Sequence, residues 1–124
     1  MNSKFQKGIF ACIILMVVIL FFTIIDHSIH GLENAWGVPD YYFRNKIPFG
    51  FLWGLLGLFL VYKFKIQNIW LKALVVAGVI SITLQFRYFI EGYSISFVLI
   101  FLLFHFLILY FLSVGMFKMF NKYL

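Results

Sequence analysis

The run GIFACIILMVVILFFTIIDHSIHGLE, residues 8–33, changes character once. From Gly8 to Ile25 there are 18 residues without a charge. A helix over that run is about 27 Å long, enough with its flanks to cross the hydrocarbon core of a bilayer. The next stretch, Asp26 to Glu33, holds two of the three histidines and two of the four acidic residues of the chain. The sequence therefore reads as a membrane span that ends in a polar cluster.

The rest of the composition agrees. The chain has 124 residues, is 65% hydrophobic and 23% aromatic, and has a mean hydropathy of +1.04. Charged residues make up 11%, against about 25% in soluble domains. That much apolar surface calls for lipid as the solvent. The length fits one domain and leaves no room for a separate soluble catalytic domain. Cys12 is the only cysteine, which excludes an intramolecular disulfide and a CxxC redox pair. The net charge of +6 comes from lysines that flank apolar segments. This is the pattern of topology determinants and anionic-lipid contacts, so no nucleic-acid partner is expected. Lys4 and Lys7 precede the first apolar run as in a signal peptide, but the run is longer than a typical h-region and no A-x-A site follows. It is expected to be a retained span.

The expected fold is all-α, an integral membrane four-helix bundle. Its spans are placed at about 8–27, 47–63, 69–91 and 92–117, with an outer loop at 28–46. Trp36, Tyr41, Tyr42 and Phe43 in that loop suit an interface, and Pro39 suits the first position of a short interfacial helix. Pro48 lies near the start of the second span. Gly50, Gly54 and Gly57 fall at i, i+4 and i+7 on one helix face, and Ala73, Ala77 and Ser81 form a matching stripe on the third span. Small residues let helix backbones approach closely, so the two stripes are expected to pack together. Gly92-Tyr93-Ser94 reads as a tight turn.

Seven lysines (Lys4, Lys7, Lys63, Lys65, Lys72, Lys118 and Lys122) fall on one side of this bundle. Only Arg44, Lys46 and Arg87 fall on the other. The positive-inside rule then predicts that both termini are cytoplasmic and that the histidine and acid cluster faces outward.

Three groups of residues are candidates for chemistry. If the first helix continues past Ile25, Asp26, His30 and Glu33 share a face, with His27 within about 120° of arc. Imidazole and carboxylate so placed can ligate a transition metal such as Cu, Zn or Fe, which names Asp26, His27, His30 and Glu33 as metal ligands. Their plain structural role is to cap the helix and bind water. Arg87 and Glu91, at i and i+4, can pair on one helix, or Arg87 can orient the carboxylates of the outer cluster. His105 lies about 20 Å along a helix from Gly92, near the midplane. That depth separates it from His27 and His30 and directs it to Ser81, Thr83 or Gln85 of a neighbouring span, or to a relay or haem role with another subunit.

The sequence contains no G-x-x-x-x-G-K-[ST], H-E-x-x-H or G-x-S-x-G motif, no series of charges suited to voltage sensing and no visible selectivity filter. Three function classes remain. The favoured one is a non-catalytic subunit or interaction partner of a larger membrane assembly, in contact with the lipid bilayer and with other membrane subunits or its own copies. The second is a membrane metal-binding protein or metalloenzyme. The third is a small oligomeric transporter or channel, with Gln85, Arg87, Glu91 and His105 along its path.

Overall fold

A computed structural model describes residues 3–124. Four helices, α1 (Ser3–His30), α2 (Tyr41–Lys63), α3 (Ile69–Ile90) and α4 (Ile95–Phe120), account for nearly all of it, with no strand among the described residues. Each is long and apolar enough to span a membrane.

α1 does not stop where its apolar run stops. It carries Asp26 and His27 within the helix and ends at His30, where the Gly31 N–H still bonds the His27 carbonyl at 3.2 Å. α2 starts earlier than the sequence suggests. The Tyr42 N–H bonds the Pro39 carbonyl, and Phe43 and Arg44 bond that of Asp40. No breaker intervenes before Pro48, which sits inside the helix. A membrane helix tolerates such a proline because its neighbours restore the packing around it. The expected interfacial helix and the expected second span are thus one element, and Lys46 belongs to a helix instead of a loop. α3 is capped by Asn68, whose side chain accepts from the Trp70 and Leu71 N–H groups at 2.8 and 3.2 Å. α4 is capped by Ser94, which accepts from the Phe97 N–H. Between them Gly92 adopts φ +87, the left-handed conformation that lets the chain reverse, and the Tyr93 N–H closes on the Tyr88 carbonyl at 3.2 Å.

Each helix packs antiparallel to the next, and α4 closes the ring on α1. Moving up α1 from Leu15 to Ile19 moves down α2 from Gly54 to Gly50. The Phe10 ring meets Tyr123 at one end of the bundle, and Asp26 meets His105 further along. The start of α1, the α2–α3 connection and the chain's C-terminal turn therefore share one end, where Lys72 bonds Asn121 at 2.7 Å. The seven lysines named above group toward that end, and Asp26, Glu33, Asp40 and Glu91 toward the other.

Toward the lysine-rich end the core is mainly apolar, built on Leu15, Ile19, Phe22, Val76, Ile80, Leu109 and Phe117. A second cluster of Tyr42, Tyr88, Phe97, Val98 and Phe101 closes the other end. The glycine stripe of α2 serves two neighbours instead of one. A Cβ at Gly50 or Gly54 would meet Ile19 or Leu15 of α1, whereas one at Gly57 would lie 3.0 Å from the Val76 Cα of α3. Ala73, Ala77 and Ser81 are fully buried, but only the Gly57 end of the glycine stripe reaches α3 in this way. Large apolar side chains such as Ile24, Phe59, Phe89, Leu103 and Phe111 point outward, as lipid-facing residues do.

Candidate metal centre

Between the apolar core and the aromatic cap lies a buried polar network to which all four helices contribute. α1 supplies Asp26 and His30, α2 Lys46, α3 Gln85 and Tyr88, and α4 His105. None of the six is more than 5% exposed.

Asp26 is its centre. Its Oδ1 accepts from His105 Nε2 at 2.8 Å and lies 3.5 Å from His30 Nε2. Its Oδ2 accepts from the Lys46 ammonium. Lys46 also donates to the Tyr88 hydroxyl and stands 3.4 Å from His105 Nε2. Tyr88 lies 3.0 Å from His30 Nε2. His30 Nδ1 is 2.6 Å from the Trp36 carbonyl. A carbonyl only accepts, so His30 carries a proton on Nδ1. Its Nε2 then has a lone pair facing the network and accepts from Tyr88 when the ring is neutral. The chain of donation runs from Lys46 through Tyr88 and His30 to the backbone at Trp36.

His105 is held in the same fashion. Its Nδ1 is 2.6 Å from the side-chain amide of Gln85, and its Nε2 faces Asp26. Each imidazole therefore has its outer nitrogen fixed by a partner and its inner nitrogen aimed at the carboxylate. Outer partners of this kind orient metal-ligating histidines. One ligand atom each from Asp26, His30 and His105 falls within 4.8 Å of the others. In a tetrahedral site with bonds of about 2.0–2.1 Å, neighbouring ligand atoms stand about 3.3 Å apart. The Gln85 Oε1 is buried without a hydrogen-bond partner. A half-turn of that amide would present Oε1 to a proton on His105 Nδ1, the tautomer that a ligating Nε2 requires.

Packing fixes the rings. His30 stacks on Phe101 with centroids 3.9 Å apart and planes within 1° of parallel. Phe22 meets His105 edge-on at 5.2 Å. Trp36 packs on Phe101 and Phe104, so the loop after α1 folds over the site as a lid.

The expected outer cluster is divided. Asp26 and His30 point inward. His27 is exposed, its ring edge-on to Phe43 at 4.6 Å. Glu33 is also exposed, because the helix ends at His30 and the shared face ends with it. Arg87 does not reach the cluster. Its Nε bonds Glu91 at 2.8 Å on the rim, where Tyr41 also donates to Glu91.

His105 overturns the expected separation by depth. Asp26 and His30 at the end of α1 reach His105 directly. α4 begins only at Ile95, which puts His105 about 15 Å into the helix. Of its expected partners, Gln85 is the one bonded. Ser81 and Thr83 bond back to carbonyls of their own helix.

Lys46 and Tyr88 were not among the sequence candidates. Tyr88 has no signal of its own. Lys46 has one, since it is the only lysine away from the lysine-rich end.

A cavity of about 210 Å³ between α2 and α3 reaches this network. Lys46, Tyr88, Tyr42, Asn45 and Arg87 line it together with the apolar Phe49, Trp53 and Leu84.

The fold and site define a bundle of four membrane-length helices with a buried carboxylate, two oriented imidazoles and a lysine. Comparison with family models, curated proteins and solved structures gave no match.

Proposed function

We infer that this chain is a multi-pass membrane protein that binds a divalent transition metal inside its bundle through Asp26, His30 and His105. The observation that carries the reading is the inward aim of two imidazoles, each oriented by a hydrogen bond on its far nitrogen, at one buried carboxylate. Two imidazoles and one carboxylate suit Zn, Fe or Cu, and three protein ligands leave a coordination position open. By the lysine distribution the termini lie in the cytoplasm and the centre lies nearer the outer leaflet.

A purely structural subunit has little use for a buried ion pair and the polar groups that four helices gather around it, since ionisable groups at this depth are costly to bury. A second reading, assembly with other membrane subunits, is supported by the lipid-facing groove between α3 and α4. There Gly78 has open space where a side chain would stand. A transport path through Arg87 and Glu91 has less support, because those residues bond each other at the rim.

The test is elemental analysis of detergent-purified protein beside an Asp26→Ala/His30→Ala variant. The reading expects a metal in the first and none in the second. Absence from both, after growth with metals supplied, would leave the assembly reading.

A further inference from the structure

We propose that Lys46 is the resident cation of this centre, holding the place of the metal and withdrawing into the α2–α3 cavity when a metal binds. The proposal rests on the metal reading and adds its regulation.

The position of the ammonium is the first argument. It bonds Asp26 Oδ2 and the Tyr88 hydroxyl, and lies 3.4 Å from His105 Nε2. It therefore stands beside the ligand atoms and competes for the carboxylate that a metal would use. The second argument is charge. Asp26 is the only acidic side chain in the buried network, and Lys46 already balances it. A divalent ion added beside the ammonium would leave two uncompensated positive charges in a low-dielectric interior. The ammonium must leave for the metal to stay.

The third argument is a route. The Lys46 side chain lines the α2–α3 cavity with Asn45, Tyr42 and Tyr88. Without metal, the lysine keeps Asp26 paired and the ligand set in register. With metal, the same lysine lowers affinity and makes the bound ion exchangeable. The arrangement suits a protein that takes up and hands over a metal more than one that holds it permanently.

The test is titration of Co²⁺ into detergent-purified wild-type protein, Lys46→Met and Lys46→Gln, read by the visible spectrum of the bound ion. Both variants remove the ion pair that opposes binding, so each is expected to bind about a hundredfold more tightly than wild type. Helical circular dichroism verifies that the variants are folded. Folded variants that bind Co²⁺ no more tightly than wild type would overturn the role of Lys46 and leave the metal site standing. Binding by both variants, with none by wild type, would support the metal reading and the role of Lys46 together. No Co²⁺ bound by any of the three would overturn the metal reading and this proposal together.

Discussion

Removing Asp26 should damage the fold more than removing Lys46, although the two form one ion pair. In Asp26→Asn the ammonium stays buried, keeps the Tyr88 hydroxyl, and has only neutral histidines nearby. Stripping a buried charge of its partner costs about 3–5 kcal/mol. That is a large part of a typical total stability of about 5–15 kcal/mol. In Lys46→Met the carboxylate retains the His105 N–H at 2.8 Å, and His30 lies 3.5 Å away. The loss is then closer to that of one strong hydrogen bond, about 1.5–3 kcal/mol. The double variant Asp26→Asn/Lys46→Met leaves no charge behind. It should be more stable than Asp26→Asn alone, with a coupling of about 1–3 kcal/mol. Denaturation in mixed micelles, followed by circular dichroism, measures all four proteins of the cycle. Simple additivity in the double variant would refute the buried pair, and equal stability of the two single variants would refute the asymmetry between its partners.

Three further outcomes follow from the packing and the network. Gly57→Ala should destabilise by about 1–3 kcal/mol, and more than Gly50→Ala, because its new Cβ meets the Val76 backbone whereas that at Gly50 meets an Ile19 side chain; thermal unfolding of the pair checks the order. Tyr88→Phe removes the hydroxyl between Lys46 and His30 and should cost about 1–3 kcal/mol in the same assay, whereas Tyr62→Phe, on an exposed side chain, should cost nothing measurable. A reporter fused after Leu124 should be active only in its cytoplasmic form; an external signal would reverse the orientation and place the centre near the inner leaflet.

Much of the architecture was legible because four helices long and apolar enough to span a membrane stand out in the sequence. Asp26 and His30 were legible as well, since polar residues at the end of an apolar run stand out. What the sequence hid was depth and direction. His27 is one residue from Asp26, so a turn of about 100° carries it to the exposed face. Glu33 follows the helix only on paper, because Gly31 ends the periodicity that would have kept it beside His30. His105 looked isolated as long as the first helix was taken to end at the membrane surface. In the fold Asp26 and His30, at the end of α1, meet His105 inside the bundle. Lys46 falls just before the apolar run that begins at Ile47, and hydropathy alone does not show that the helix already starts at Tyr41 and continues through Pro48.

His105 joins a site assembled from distant helices, and His27 is excluded from it. Elemental analysis of wild-type protein, His105→Ala and His27→Ala, purified in parallel, separates the two. The prediction is about one transition metal per chain in wild type and His27→Ala, and a loss in His105→Ala. Metal retained without His105, or lost with His27, would contradict the buried centre and return the site to the surface.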